Sequence, residues 1–207
     1  TTKRTTTLFT AYEQFRHTQV QLAAKIKLAP FTTELVWLCD RYNEWLSRQH
    51  WRCPDAVTEF LQKFFDLSTE RFASPLDWHT HFPSYLSAFE RDVVFGACGS
   101  GLSSAWMKGG YANPPYEAFY LRRSLQWQLA LQAAGGKSAP WTVFLIPIWD
   151  GHDGKPRWDY TNYLEHEDAH LVAKFPKGTF SFEHWKKSLN QGTDADNRGT
   201  ANWHLGV

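Results

Sequence analysis

Tyr111-Ala112-Asn113-Pro114-Pro115-Tyr116 runs into a helical stretch from Glu117 to Ala134 and then into Trp141-Thr142-Val143-Phe144-Leu145-Ile146-Pro147. This segment decides the fold. Tyr111-Ala112 reads as the end of a strand, Gly135-Gly136 stops the helix, and Trp141–Ile146 is a continuous apolar strand ended by Pro147. A strand apolar along its whole length is covered on both faces, as in a parallel α/β sheet. Ligands in such sheets bind outside the carboxyl ends of the strands, where Asn113–Tyr116 falls.

Outward from this segment the chain divides in two. Residues 1–10 are Thr-rich and read as a loose lead-in. A helix is predicted from Ala11 to about Ala29, ended by Pro30. A second follows a Thr32 or Thr33 cap, with Leu35, Val36, Leu38, Tyr42, Trp45 and Leu46 at helical spacing. A third starts after Pro54-Asp55 and carries Val57, Phe60, Leu61, Phe64 and Phe65. Residues 1–68 are thus expected to form a small helical subdomain and residues 69–207 an α/β domain. Within the latter, a short helix is predicted at Tyr85–Phe89, a strand at Val93-Val94-Phe95, a glycine turn at Gly96, Gly99 and Gly101, a strand at His170–Phe175 and a polar loop at 188–201. The chain starts without Met and stops on the opening of a strand, so it reads as a fragment, with a flanking domain or protein partner expected.

The composition excludes several classes. Lys and Arg total 22 against 21 Asp and Glu, a net charge of +1, so any nucleic-acid binding rests on a local basic patch. No apolar run is long enough to span a membrane. Cys39, Cys53 and Cys98 form neither a disulfide framework nor a metal cluster and fit an intracellular, reducing compartment. Eleven Trp, eight Tyr and fifteen Phe are more than a core of this size requires, which leaves flat surface for ligands such as nucleobases.

Asn-Pro-Pro-Tyr suits chemistry on an exocyclic amine. The lone pair of adenine N6 is delocalised into the ring. The Asn113 side-chain oxygen and the Pro114 carbonyl can each accept one N6–H and turn that lone pair toward a methyl donor. Pro114 and Pro115 fix the backbone, and Tyr116 can stack on the base for about 1–3 kcal/mol. The bland alternative is a stiff turn, which the strand before and the helix after weigh against. A carboxylate near a strand end, Glu70 or Asp92, can accept ribose hydroxyls or face an amino group, although a solvated surface carboxylate is the ordinary use.

Four blocks in order, over about residues 35–175, resemble the phosphorylated-CTD-interacting factor family, the cap-specific adenosine N6-methyltransferases of mRNA. They are Glu70-Arg71-Phe72-Ala73-Ser74-Pro75-Leu76-Asp77, Asp92–Gly96 with Gly99, Tyr111–Tyr116, and Leu145-Ile146-Pro147-Ile148-Trp149. The resemblance implies a Rossmann-like class I methyltransferase core, S-adenosyl-L-methionine as donor, and a nuclear site of action on the capped 5′ end of mRNA. It implies that Asn113, Pro114, Pro115 and Tyr116 are catalytic. Glu70, Phe72, Ala73, Ser74, Pro75, Leu76, Asp92, Gly96, Gly99 and Asn113 become the expected donor site, and Tyr116, Glu117, Pro147 and Trp149 the expected substrate contacts. No metal is expected. The departures are Asp77 for Asn, Cys98 for Arg, Ala118 for Glu and Ile148 for an acidic residue, and they fall on substrate recognition more than on Asn-Pro-Pro-Tyr. Phage-type DNA adenine methyltransferases share the order of motifs, and a catalytically inactive RNA-binding relative is the non-enzyme alternative.

Two His-containing stretches are rivals. His166-Glu167-Asp168-Ala169-His170 matches a zinc-protease pattern, but Asp168 and Glu165 charge a face that should be apolar, and His170 is expected to begin a strand. Trp78-His79-Thr80-His81 offers two His at i,i+2, which read as surface residues. Arg122-Arg123 can touch RNA phosphates or simply face solvent.

Overall fold

The computed structural model describes residues 2–18, 27–44, 51–149, 163, 166–184, 198–201 and 204–207. In chain order come α1 (Thr2–Thr18), α2 (Phe31–Glu44), β1 (Trp51–Arg52), α3 (Asp55–Phe64), β2 (Thr69–Arg71) and β3 (Ser84–Tyr85). A 3-10 helix (Glu90–Phe95), β4 (Gly110–Ala112), α4 (Ala118–Gly135), β5 (Thr142–Phe144) and β6 (Ile146–Ile148) follow. The last strands are β7 (Lys174–Phe175), β8 (Ser181–His184), β9 (Arg198–Thr200) and β10 (His204–Gly206).

The centre is a four-stranded, wholly parallel sheet in the order β3-β2-β4-β5. Glu70, Tyr111 and Val143 lie side by side across β2, β4 and β5, and Arg71, Ala112 and Phe144 form the next row. Because side chains alternate along a strand, the two rows serve opposite faces. Tyr111 and Val143 join the main core with Leu61, Phe82, Leu121, Leu125, Leu145, Phe182 and Leu205. Ala112 joins a second cluster with Phe72, Leu86 and Trp106. The molecule is thus mixed α/β with a parallel sheet, as the buried run around Val143 predicts.

α4 supplies Tyr120, Leu121, Ser124, Leu125 and Gln128 as one buried stripe at helical spacing, while Arg122 and Arg123 stay exposed. Gly136, at φ 52°, ends it. Two small antiparallel sheets complete the fold, β6-β10-β7 and β1-β8-β9.

The structure corrects several sequence expectations. The lead-in is helical: α1 begins at Thr2, and Leu8 and Tyr12, one turn apart, pack with Leu38, Tyr42, Val94 and Phe95. Val93-Val94-Phe95 is not a strand but the end of the 3-10 helix, because Asp92 turns inward and Gly96, at φ 97°, caps the turn. Tyr85–Phe89 is not helical. Ser84–Tyr85 pairs with β2, and Ser87 bridges Ser100 in parallel. Pro147 does not end a strand but sits within β6, an edge strand, where its missing N–H costs no ladder bond. The predicted strand at His170–Phe175 shrinks to Lys174–Phe175, and Arg198–Thr200, expected as loop, is β9. Trp45, Leu46, Glu165 and the rest of the 188–197 loop lie outside the described residues.

Candidate active site

β2 departs toward β3 on one side of the sheet, and β4 departs toward β5 on the other. The strand order therefore reverses between β2 and β4, and a crevice opens at their carboxyl ends. The residues leaving β2 (Phe72, Ala73) and those leaving β4 (Asn113, Pro114, Pro115, Tyr116) line that crevice with Glu70, Asp77, His79, Tyr42, Arg52, Cys53 and Ala88. The cavity that these residues enclose is small, about 40 Å³.

The wall from β2 is built by a turn. Phe72 takes a left-handed φ of 67°, which is unfavourable for a bulky side chain. Its ring fits because Gly101 has no Cβ, and a methyl group there would lie 2.9 Å from Phe72 Cε1. The Ser74 carbonyl accepts from the N–H groups of Asp77 and Trp78, and the Ser74 hydroxyl accepts from Leu76 N–H at 3.0 Å. This closed turn returns the chain to Glu70, where the His79 N–H donates to Oε2 at 2.7 Å. His79 Nδ1 lies 2.6 Å from Glu70 Oε1, and Nε2 lies 2.8 Å from the Cys53 carbonyl.

The wall from β4 is stiff. Leu145 N–H donates to Ala112 O at 2.9 Å, Pro114 and Pro115 fix their own φ, and Glu117 N–H donates to Pro115 O at 2.7 Å. Tyr116 is buried, with its ring edge-on to Trp149 and Phe182 at 6.4 and 6.0 Å between centroids.

The fold thus gathers Glu70, Phe72, Ala73 and Asn113–Tyr116 into one cleft although Glu70 and Asn113 are 43 positions apart in the chain. Ser74, Pro75 and Leu76 shape the turn behind it. Trp149 touches the cleft through Tyr116, while Glu117 precedes α4 and Pro147 is buried in β6, neither of them lining the cleft. Asp92, Gly96 and Gly99 lie elsewhere. Asp92 is fully buried, accepting from Tyr42 and Ser87 and pairing with Arg41 Nη1 at 3.1 Å. It holds the 3-10 helix to α2, and through Tyr42 it backs one wall of the cleft.

His79, expected on the surface, is 2% exposed and lines the cleft. Its neighbour His81 is half-buried. Nothing local distinguishes the two, since the difference comes from Glu70 and Cys53, far away in the chain. His166–His170 forms a turn rather than a helix, with Ala169 N–H donating to His166 O and Asp168 N–H donating to His166 Nδ1. The helical face that a zinc-protease pattern requires is therefore missing. Among the described residues, no group of three or more His, Cys, Asp and Glu could hold a metal ion.

A mixed α/β molecule with a cleft at the reversal point of its parallel sheet is the class that this geometry defines. The chain belongs to the family described as phosphorylated CTD interacting factor 1 WW domain, whose family model matches residues 7–180. That description names interaction with a phosphorylated CTD, a protein partner. Among curated proteins, no match is found.

Proposed function

We propose that this chain is an S-adenosyl-L-methionine-dependent adenine N6-methyltransferase with a Rossmann-like core, acting on the cap-proximal adenosine of mRNA. The observation that carries the reading is the meeting of Asn113–Tyr116 with Glu70, Phe72 and Ala73 at the strand reversal. The lining also suits the donor. Glu70 and Asp77 offer carboxylates to hydroxyl and ammonium groups, and Tyr42, Phe72 and Tyr116 offer aromatic surface to an adenine ring and a sulfonium. When bound, the donor supplies a methyl group already activated by its positive sulfur.

The protein's own task is positioning. Asn113 Oδ1 and the Pro114 carbonyl accept the two N6–H bonds of the target base, and the paired prolines keep these acceptors in place. Tyr116, wedged by Trp149 and Phe182, presents an aromatic wall that cannot turn away. Glu70, Asp77 and Phe72 would hold the donor, which would supply its methyl to N6 by direct in-line transfer, the proton lost from N6 going to solvent. The base must leave its stack to enter, which costs least at a strand end such as the cap-adjacent nucleotide. A nuclear location and a further domain or partner that reads the cap belong to the same reading.

The test is transfer of labelled methyl to capped RNA beginning with adenosine, to the same RNA uncapped, and to DNA of equal sequence. Label on capped RNA alone is the expected result, and Asn113→Ala lowers it by at least about a hundredfold. Label on DNA moves the assignment to a DNA adenine methyltransferase. No label on any substrate, despite donor binding, indicates either an RNA-binding relative without catalysis or a chain that lacks its substrate-binding partner.

A further inference from the structure

The imidazole of His79 faces a hydrogen-bond acceptor at each nitrogen. Nε2 lies 2.8 Å from the Cys53 carbonyl oxygen, which only accepts, so Nε2 carries a hydrogen. Nδ1 lies 2.6 Å from Glu70 Oε1, and an ionised carboxylate also only accepts. A neutral imidazole has one N–H and one lone pair, and satisfies both contacts only where Glu70 itself carries the proton. We infer that His79 is an imidazolium, the cationic half of a buried ion pair that holds Glu70 ionised and fixed in the cleft. It is a positioning residue outside the Asn-Pro-Pro-Tyr motif; the ligand side of this inference rests on the reading above.

The surroundings agree with the charge. Both residues are buried, His79 at 2% and Glu70 at 6% exposure, so the 2.6 Å contact between them is shielded from water. His79 binds both oxygens of Glu70, one through Nδ1 and one through its backbone N–H, so the carboxylate is held in one orientation. Each oxygen keeps a second lone pair for a ligand hydroxyl or ammonium. From α3, Asp55 Oδ1 approaches Nε2 at 3.8 Å and adds attraction, whereas Arg52 of β1 repels. The His81 ring stands 5.5 Å away and the Tyr111 ring of β4 6.4 Å away. Burial pulls the imidazole toward neutrality, but Glu70's charge and hydrogen bond, with the Cys53 carbonyl, outweigh it and raise His79 above its ordinary 6.5.

Two measurements on the 207-residue chain test this. In the first, histidine side chains are labelled with ¹⁵N and assigned by difference from His79→Asn. Both His79 nitrogens should carry hydrogens at pH 7, and the ring should lose a proton only as pH rises further. A nitrogen with a free lone pair at pH 7 overturns the ion pair, whether or not any ligand binds. The second compares S-adenosyl-L-methionine affinity by calorimetry in two variants. His79→Asn keeps a donor near Nδ1 for Glu70, and His79→Gln keeps one near Nε2 for Cys53 only. Positioning by a cation predicts a loss of affinity in both variants, smaller for His79→Asn, which keeps the hydrogen bond to Glu70, and about tenfold or more for His79→Gln, at similar melting temperatures. Equal losses that track melting temperature reduce His79 to packing and overturn the role. No binding by the wild type overturns the donor reading and the positioning of Glu70 for that ligand, while the first measurement still decides the charge.

Discussion

Asp92 shows how a residue can have the right chemistry and the wrong address. Its carboxylate and its place before Gly96 suggest a ligand contact, yet it is fully buried among Arg41, Tyr42 and Ser87. Burial raises its carboxyl above the ordinary 3.8, with Arg41, Ser87 and Tyr42 pulling back. Just above pH 3.8 the folded chain therefore binds a proton that the unfolded chain has lost, and the stability this confers disappears as pH rises through the folded value. Melting curves should show wild type losing stability relative to Asp92→Asn over that window, and a constant difference refutes it. Asp92→Ala instead strands Arg41 and costs about 3–5 kcal/mol by denaturant titration. At this scale the sequence showed residue types but not partners. Asn113–Tyr116 was legible because a contiguous motif carries its own geometry. His79 was not, because Glu70 and Cys53 define it from nine and 26 positions away.

The elements were legible where length or punctuation settled them. α4 fills the span between Glu117 and Gly136, flanked by β4 and β5, but the apolar run expected as one strand over 141–146 breaks at Leu145, where Ile146–Ile148 leaves for a second sheet. The three-residue run Val93-Val94-Phe95 carries no period, so it reads equally as strand or helix, and packing against α1 decided the matter. Gly99 belongs to the same region and has a backbone duty rather than a ligand one. Its φ is 148°, and an added Cβ would lie 2.1 Å from Ser104 Oγ. Gly99→Ala should cost about 1–3 kcal/mol in unfolding free energy. Donor affinity measured well below the melting temperature should hardly change, since Gly99 does not line the cleft. A selective loss of affinity would return Gly99 to the site.

Across the whole molecule, the N-terminal helices share their cores with the rest of the chain. α1 and α2 pack on the 3-10 helix, where Arg91 grips the buried Glu34 of α2, and α3 packs beneath Tyr111 of β4. Leu8→Ala should therefore cost about 2–5 kcal/mol and shift one unfolding transition seen alike by tryptophan fluorescence and circular dichroism. Two separate transitions, with only the first displaced, would mean that residues 1–68 melt independently. Such long-range packing left the least trace in the sequence, because the faces that meet are far apart along the chain. The parallel sheet has a kinetic counterpart. Thr69 sits beside Gly110, and Gly110 beside Thr142, so each pairing waits for a long loop to close. Neither wall of the cleft exists in a partly assembled chain. Ligand capture then appears only with the slowest refolding phase, and its onset times the last step of assembly.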